Sequence, residues 1–219
     1  MKKIFLLTLI FPLLLSAQDS TENQTDQPET FNKKMFKQGI DTTKYVPKGL
    51  NVGDIAPVIN TVNLQGKEIH SDNILKNKKI VVIFYRGKWC PVCNKYLNNL
   101  NDSLKYITDK NAEVLVIGPE TFENAESIND KIEANFQLIP DTNLKILTDY
   151  DVLFNVTRKY QGKIKTFLFT DIAKNNNQED AILPVPATYI IGKNGKIIYR
   201  HFDYDYSVRA TVKDIIDNL

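Results

Sequence analysis

One stretch of the chain, residues 80–100, restricts the possible fold more than any other. The apolar run Ile80–Tyr85 is typical of a buried β-strand. A short turn follows, and beyond it the apolar residues recur at helical spacing, at Tyr96, Leu97, Leu100 and Leu104. Cys90 and Cys93 are the only two cysteines of the 219-residue chain, and they lie where the strand gives way to the helix. The sequence therefore predicts a strand and a helix joined by a Cys-x-x-Cys turn.

The start of a helix is a favourable place for a negatively charged sulfur atom. The first N–H groups of a helix have no partner within it, and the helix dipole is positive at that end. Both effects lower the pKa of a cysteine placed there, and the thiolate is the reactive form. Pro91 suits the first turn because the N–H that it lacks would have had no partner. Cys90 and Cys93 are thus candidates for a redox-active pair.

Other uses of a cysteine pair fit this sequence less well. A structural disulfide across so short a loop removes little entropy from the unfolded chain. A zinc site needs further ligands, but there is no second cysteine pair, and the two histidines, His70 and His201, lie far away in sequence. Haem attachment needs a histidine directly after Cys93, where Asn94 stands. We therefore expect redox chemistry carried by sulfur, with no bound metal and no cofactor.

Residues 1–17 have the form of a secretory signal peptide. Lys2 and Lys3 precede an apolar run over residues 4–15, and the run ends in small residues up to Ala17. The run is shorter than the ~20 residues that a membrane-spanning helix needs, so we expect cleavage rather than a membrane anchor. The protein is then exported to the periplasm or another extracytoplasmic compartment. In an oxidising compartment, paired cysteines tend to form a disulfide.

The rest of the chain divides by composition into an extension and one domain. Residues 18–47 are predicted to be a polar, disordered leader followed by an arm that packs on the domain. In the arm, residues 31–45 are predicted to form a short amphipathic helix around Met35 and Phe36. Residues 48–219 are predicted to form the folded domain. Loss of the signal peptide leaves equal numbers of basic and acidic residues, so charge gives no indication of nucleic-acid binding.

Strands and helices alternate within the predicted domain. The predicted strands cover residues 58–64, 68–70, 80–85, 112–117, 145–148, 163–169, 187–192 and 196–201. The predicted helices cover residues 71–75, 93–104, 123–136, 152–160 and 208–219. This order implies an α/β fold with a mixed central sheet and helices on both faces.

Several stretches resemble one known protein family. Val52–Pro57 resembles a Gly-x-x-Ala-Pro motif, Phe84–Asn94 an active-site segment, and Leu183–Tyr189 a second active-site loop. All three motifs belong to the peroxiredoxin-like branch of the AhpC/TSA family, the alkyl hydroperoxide reductases and thiol-specific antioxidants. The hairpin that follows, Ile190–Ile198, is similar as well. The resemblance implies a thioredoxin-like fold and a thiol-based antioxidant oxidoreductase.

Two positions depart from the peroxide-reducing members of that family. Alignment from Phe84 places Cys93 at the peroxidatic position and Cys90 where the family commonly has Thr. Pro186 stands where an Arg often precedes the second loop. A proline there resembles the cis-proline of thioredoxins, which presents its backbone to a substrate disulfide. Arg86 either supplies the missing positive charge or is a solvated charge at the end of the strand.

The resemblance implies peroxide reduction as the leading mechanism. Cys93 attacks a hydroperoxide and becomes a sulfenic acid, and Cys90 condenses with it to form a disulfide. The chain has no second cysteine pair, so an external thioredoxin-like dithiol must reduce that disulfide. Arg86, Trp89 and Pro186 are the candidate substrate-binding residues.

Two alternatives stay open. In thiol–disulfide exchange with protein disulfides, Cys90 is the more exposed sulfur and attacks the substrate, and Cys93 resolves the mixed disulfide. Trp89 then shields the site, unless it only fills the core, and Pro186 docks the substrate strand. The other alternative, a copper metallochaperone on the same fold, needs a distal histidine such as His201. We expect that histidine instead to face water on an edge strand.

Overall fold

The structure is a computed structural model that describes residues 27–219, with side chains described from residue 32 onward. The predicted signal peptide, residues 1–17, lies outside the described residues. The helices are α1 Gln27–Lys37, α2 Ser71–Leu75, α3 Pro91–Asp102, α4 Leu104–Thr108, α5 Phe122–Ile132, α6 Lys145–Asp149, α7 Arg158–Leu168, α8 Ile172–Asn175 and α9 Val212–Asp217. The strands are β1 Asn60–Val62, β2 Glu68–His70, β3 Lys79–Phe84, β4 Ala112–Gly118, β5 Gln137–Pro140, β6 Leu153–Asn155, β7 Ile182–Pro184, β8 Ala187–Ile191 and β9 Ile197–Phe202. From residue 27 to the end of the chain, no helix has the length and apolar character to cross a bilayer.

A five-stranded sheet in the order β5-β4-β3-β8-β9 forms the centre of the domain. Strand β4 is parallel to both β3 and β5, whereas β8 runs antiparallel to both β3 and β9. Two small antiparallel pairs, β1 with β2 and β6 with β7, lie outside this sheet. The mixed central sheet predicted from the sequence is confirmed.

Strand β3 is buried on both faces, which explains its unbroken apolar sequence. Val81 and Ile83 lie in a core shared with α3, α4 and α5. Ile80, Val82 and Phe84 lie in a second core shared with α2 and α6. Because successive side chains of a strand point to opposite faces, these two cores cover opposite faces of the sheet. The prediction of helices on both faces is confirmed.

Three separate segments of the chain meet at one edge of the sheet. Strand β3 leads through residues 85–90 into α3, and β4 ends two residues before Glu120. The carboxyl ends of parallel neighbours lie at the same edge of a sheet. Antiparallel pairing of Ile83 with Thr188 places the start of β8 beside the end of β3. The Cys-x-x-Cys turn, Glu120 and Pro186 therefore come together at this edge.

Helix α1 and the residues after it pack on the domain. Met35 is 3% exposed and Ile40 is 0% exposed, and both belong to a cluster with Val156 and Tyr160. Ile40 and Val156 also form an isolated β-bridge. Gly39 has a φ of +94°, and a Cβ atom there would lie 2.6 Å from the ring of Tyr160, so only glycine permits this approach. Helix α1 begins inside the leader that the sequence predicts to be disordered.

Three element assignments made from the sequence are wrong. Residues 145–148, predicted as a strand, form helix α6. Residues 152–160, predicted as a helix, contain strand β6 and only the start of α7. Residues 163–169, predicted as a strand, are mostly the rest of α7. Strand β5 was not predicted at all.

The spacing of buried residues explains why α7 is a helix. Tyr160 and Ile164 are buried and lie four residues apart, on one face of a helix. Thr157 caps the helix, since its side-chain oxygen accepts a hydrogen bond from the Tyr160 N–H at 3.3 Å. Packing of this face against the α1 arm outweighs the local alternation of polar and apolar residues that favours a strand.

Candidate active site

The two cysteines occupy the first turn of α3. Cys90 is the N-cap residue, and its Sγ accepts a hydrogen bond from the Cys93 backbone N–H at 3.3 Å. Pro91 takes the first helical position, as the sequence predicts. Both cysteines are free thiols in this structure. Cys90 is 2% exposed and Cys93 is 0% exposed. Both cysteines are therefore buried, although the sequence predicts that Cys90 is the more exposed of the two.

Arg209 contacts the sulfur atom of Cys93. Its Nη2 donates a hydrogen bond to Cys93 Sγ at 3.2 Å. The Arg209 guanidinium is held by a second hydrogen bond, from Nε to the Tyr206 carbonyl at 2.7 Å, and by the ring of Tyr96 at 5.3 Å. Sequence reasoning missed this residue, which precedes α9 and belongs to no motif.

The pKa values of the two cysteines are shifted in opposite directions. Burial raises the pKa of Cys93, but the hydrogen bond from Cys90 and the charge of Arg209 outweigh it. The Arg86 backbone N–H and charge add to them, and the pKa of Cys93 falls to about 5. The hydrogen bond to Cys93 is the largest cause that raises the pKa of Cys90, followed by burial and the charge of Cys93. At neutral pH, Cys93 is therefore a thiolate and Cys90 a thiol that donates to it.

Arg86 is a buried cation enclosed by aromatic rings. It is 1% exposed, so the interpretation of Arg86 as a solvated charge is wrong. Its guanidinium carbon lies 5.3, 5.1 and 4.4 Å from the ring centroids of Trp89, Tyr160 and Tyr206. Within residues 27–219, its Nε and Nη2 have no hydrogen-bond acceptor. Two nitrogen atoms of a buried cation, with three N–H groups between them, are therefore available to an acceptor that enters the site.

Glu120 holds the loop between β3 and α3. Its side chain is 0% exposed and accepts hydrogen bonds at 2.8 Å from the Tyr85 hydroxyl and from the Lys88 backbone N–H. Burial raises the pKa of Glu120, and these hydrogen bonds oppose that effect. Sequence reasoning also missed Glu120, although a carboxylate just after a buried strand is a recognisable signal at the edge of a parallel sheet.

Trp89 and Pro186 border the site in different ways. The Trp89 ring packs against two hydrophobic clusters and against the Arg86 guanidinium, so it both fills the core and covers the cation. The Val185–Pro186 peptide bond is trans, and the expectation of a cis-proline is therefore wrong. Proline bonds are ordinarily trans unless the surroundings favour the other form. A contact between Pro186 and substrate stays a prediction.

The histidines lie in surroundings that do not suit a copper site. His201 lies on the edge strand β9, with Nε2 at 3.3 Å from the Val208 carbonyl. The ring of His70 lies on the β1–β2 hairpin, within hydrogen-bond distance of Asn60 and Glu68. Nowhere in residues 27–219 do three His, Cys, Asp or Glu side chains group as metal ligands. The copper interpretation therefore gains no support from the described residues.

Comparison with known proteins finds similarity both to peroxiredoxins and to thiol-disulfide oxidoreductases. A model of the AhpC/TSA family matches residues 52–200, a segment that includes both cysteines, Arg86, Glu120 and Pro186 but ends before Arg209. A putative peroxiredoxin, Bcp of Coxiella burnetii, is 26% identical over 125 residues, which cover 56% of this chain and 82% of that protein. The thiol-disulfide oxidoreductase ResA of Bacillus thuringiensis is 24% identical over 150 residues, which cover 68% of each protein.

A solved structure shares the fold. Peroxidoxin BcpB from Mycobacterium tuberculosis superposes with a TM-score of 0.59 at 13% sequence identity, over 77% of this chain and 96% of that chain. Identity at this level shows the architecture alone. The thioredoxin-like fold implied by the sequence motifs is thereby confirmed.

Proposed function

Because the chain belongs to the AhpC/TSA family and is a thiol oxidoreductase of that family, we propose that it reduces hydroperoxides at Cys93. Cys90 is the resolving thiol in this proposal, and an external dithiol supplies the electrons. The similarity to a putative peroxiredoxin supports the choice of a peroxide substrate.

One contact carries the proposal, the hydrogen bond of 3.2 Å from Arg209 Nη2 to Cys93 Sγ. Together with the hydrogen bond from Cys90, this contact keeps Cys93 ionised inside the protein, where a thiolate without such partners would take up a proton. Cys93 is also fully buried. A small hydroperoxide needs only a narrow path to such a sulfur atom, whereas a protein disulfide needs an open surface.

The first step oxidises Cys93. Its thiolate attacks one peroxide oxygen, the O–O bond breaks, and the second oxygen takes up a proton and leaves as an alcohol or water. Cys93 becomes a sulfenic acid. The unused N–H groups of Arg86 belong to a preorganised cation beside the reacting sulfur, and they stabilise the negative charge that develops on the leaving oxygen.

The next steps return the pair to the reduced state. The Cys90 thiol attacks the sulfenic sulfur of Cys93, an S–S bond forms, and water leaves with the Cys90 proton. Both sulfurs belong to the same turn of α3, so the pair closes without moving a second element. An external dithiol then reduces the disulfide and is itself oxidised to a disulfide.

Thiol–disulfide exchange is the second candidate function, and the similarity to ResA favours it. In that mechanism Cys90 is the attacking sulfur. The hydrogen bond to Cys93 raises the pKa of Cys90, which leaves little Cys90 thiolate at neutral pH. Its 2% exposure also restricts access by a protein disulfide. Both observations make peroxide reduction the better-supported function.

Two single-cysteine variants test the proposal. The reduced proteins are mixed with tert-butyl hydroperoxide in a single turnover, and a sulfenic-acid trap such as dimedone reports the product. Cys90→Ser should consume one equivalent and accumulate a trapped sulfenic acid, because no resolving thiol is present. Cys93→Ser should consume none.

The opposite pattern would contradict the proposal. If Cys93→Ser still consumes hydroperoxide in a single turnover, Cys93 is not the peroxidatic residue. If neither the parent nor a variant consumes hydroperoxide, but the parent reduces a protein disulfide and Cys90→Ser does not, then thiol–disulfide exchange is the function.

We also propose that the protein acts outside the cytoplasm. The support comes from the sequence of residues 1–17, with its basic start, short apolar run and small residues at the end. Protein expressed with its full sequence should be recovered from the periplasm with an N-terminus near Gln18. Recovery of the uncleaved chain from the cytoplasm alone would contradict this localisation.

A further inference from the structure

One loop reaches both arginines beside the sulfur pair. The β9–α9 loop, defined as residues 203–211, joins the last strand to the last helix. Side chains within the loop fix its shape, since Asp203 Oδ1 accepts a hydrogen bond from the Asp205 N–H at 2.8 Å. Asp205 Oδ1 in turn accepts from the N–H and the hydroxyl of Ser207, at 3.0 and 2.6 Å. The loop therefore has a defined conformation although it is neither helix nor strand.

Tyr206 of this loop contacts both arginines. Its ring centroid lies 4.4 Å from the guanidinium carbon of Arg86, closer than the other two rings around that cation. Its backbone carbonyl accepts a hydrogen bond from Arg209 Nε at 2.7 Å. One residue thus contacts two cations that come from distant parts of the chain.

The position of both cations matters for Cys93. Arg209 Nη2 donates a hydrogen bond to Cys93 Sγ at 3.2 Å, and the charge of Arg86 also lowers the pKa of Cys93. Besides the other thiol of the pair, Cys93 faces Tyr85 and Glu120, and its negative charge contributes to their raised pKa values. Coulombic energy varies inversely with distance and is large where water is excluded. Displacement of either guanidinium therefore raises the pKa of Cys93.

The Tyr206 ring stabilises a buried cation that has few other partners. Arg86 is 1% exposed, and its Nε and Nη2 find no acceptor within residues 27–219. The face of an aromatic ring carries partial negative charge, and a cation gains more from it when both are removed from water. Tyr206 itself packs against the hydrophobic cluster that includes Tyr160, which holds its ring in place. Without the ring, the Arg86 guanidinium would be free to turn towards another acceptor and away from Cys93.

We propose that Tyr206 is a positioning residue that fixes both cations beside Cys93, Arg86 through its ring and Arg209 through its backbone carbonyl. It acts on the sulfur through the two arginines. The ring ties the conformation of the β9–α9 loop to Arg86, so loss of the ring also loosens the carbonyl that holds Arg209. For peroxide reduction the inference rests on the proposed function, whereas for the ionisation of Cys93 it stands independently.

Substitutions at two tyrosines separate the ring from the rest of the loop. Tyr206→Phe keeps the ring and removes only the hydroxyl, whereas Tyr206→Leu keeps an apolar side chain without a ring face for Arg86. Tyr206→Met offers a flexible side chain for the same space should Tyr206→Leu fail to fold. Tyr204→Leu is the matched control. Tyr204 is likewise half-buried in the same loop and cluster, but its ring packs on Phe202, with the centroids 5.3 Å apart.

Thiolate absorbance of the reduced proteins as a function of pH measures the ionisation of Cys93. Tyr206→Leu should raise the pKa of Cys93, whereas Tyr206→Phe and Tyr204→Leu should leave it at the parent value. Urea unfolding accompanies each titration. A loop that was merely less stable would lower the unfolding midpoint in both Leu variants without changing the pKa of Cys93.

Stopped-flow kinetics with hydroperoxide should give the same order of variants. At about pH 6 the rate of Tyr206→Leu should fall about tenfold, because a desolvated cation loses its closest aromatic ring. The loss should be smaller at about pH 8, where more of Cys93 is ionised even after its pKa has risen. A purely structural defect would instead lower the rate equally at both pH values.

Three results would overturn the inference. One is an unchanged pKa of Cys93 in a folded Tyr206→Leu or Tyr206→Met variant. The others are a rise of this pKa in Tyr204→Leu, or in Tyr206→Phe, that is as large as the rise in Tyr206→Leu. A parent that consumes no hydroperoxide refutes the proposed function instead. The thiolate titration then still decides the role of Tyr206, because it needs no peroxide.

Discussion

Cys90 and Cys93 lie in the same helical turn but in different electrostatic surroundings. Cys93 accepts a hydrogen bond of 3.2 Å from Arg209 and one from the Cys90 thiol, and its pKa is lowered. The hydrogen bond to Cys93, burial and the negative charge of the Cys93 thiolate raise the pKa of Cys90, and the charge of Arg86 opposes them only in part. The same turn of helix therefore contains one thiolate and one thiol.

This difference shows that the position at a helix start does not by itself determine which of two cysteines is ionised. The helix dipole and the free N–H groups act on every residue of the first turn. They favour an ionised sulfur there without selecting between two sulfurs in one turn. The selection comes from side chains distant in sequence, above all Arg209. The most direct way to test the comparison is to remove those side chains one at a time.

The largest effect should follow from Arg209→Met, which removes the hydrogen bond and the charge but keeps much of the volume. The pKa of Cys93 should rise, and the rate of reaction with hydroperoxide at neutral pH should fall roughly 100-fold. Thiolate absorbance as a function of pH reports the first change, and stopped-flow kinetics the second. Arg209→Lys keeps the charge and should lose less. An unaltered pKa of Cys93 in Arg209→Met would show that Arg209 does not select the ionised sulfur.

Arg86→Met should lower the rate of reaction with hydroperoxide less than Arg209→Met does, and at acidic pH it should not lower the stability of the fold. Loss of the unused N–H groups should lower kcat/KM for hydroperoxide about tenfold, the size expected for one charge-assisted hydrogen bond. Within residues 27–219, Arg86 is a buried cation without a carboxylate partner, and at pH values below the pKa of Cys93 its replacement by an apolar side chain should leave the free energy of unfolding unchanged or raise it. Kinetics and urea unfolding measure the two quantities. A stable variant with full activity would show that Arg86 takes no part in the reaction.

The pH dependence of stability should reveal the ionised sulfur directly. In the fold the pKa of Cys93 is about 5, against an ordinary value of 9.0. Between these pH values the unfolded state binds a proton that the folded state has lost, so the reduced protein should become more stable as pH rises. Below pH 5 this contribution is absent. The raised pKa of Cys90 acts in the opposite direction, but only above its ordinary value of 9.0.

Thermal unfolding from pH 5 to pH 8 measures this contribution as a difference between proteins. The reduced parent should gain several degrees more than Cys93→Ala over this range, and the oxidised parent should not show the extra gain. Equal pH profiles for the reduced parent and Cys93→Ala would contradict the assignment of Cys93 as the thiolate.

The smallest effect should come from Glu120→Gln, which keeps the size of the side chain and removes its charge. The two carboxylate oxygens accept from the Tyr85 hydroxyl, the Lys88 N–H and, at 3.5 Å, the Asn175 amide, so an amide must turn its NH₂ group towards at least one of these donors. We expect a loss of about 1–2 kcal/mol in the free energy of unfolding. The rate with hydroperoxide should change less than in Arg86→Met, and a larger drop would place Glu120 in the reaction itself.

Local sequence patterns were sufficient to locate the sulfur pair but not its activating side chain. The apolar run of β3 and the helical stripe of α3 are short-range patterns, and they place Cys90 and Cys93 between them. Arg209 is 116 residues away from Cys93 and lies beyond the segment that matches the family. Its position follows from the packing of Ala210 and Ile215 into the core shared with α3 and α4, which no local pattern describes.

Residues 163–169 also show that a local pattern does not determine tertiary packing. Residues 163–169 alternate as a strand does, but they extend a helix whose buried face is Tyr160 and Ile164. That face is buried against Met35 and Ile40 of the arm, so tertiary packing decides the outcome. Phe169 is exposed at the end of this helix, and sequence reasoning gave it no role.

The close passage of Gly39 over Tyr160 affects how the protein can be trimmed for laboratory use. The Arg86 guanidinium lies over the Tyr160 ring, and Gly39 of the arm also packs against that ring. The recognisable family region starts only at residue 52. A protein shortened to that region would lose Gly39, which covers the Tyr160 ring beside the buried Arg86. The arm that carries Met35 and Gly39 is therefore part of the packing around Arg86, although it lies outside the homologous region.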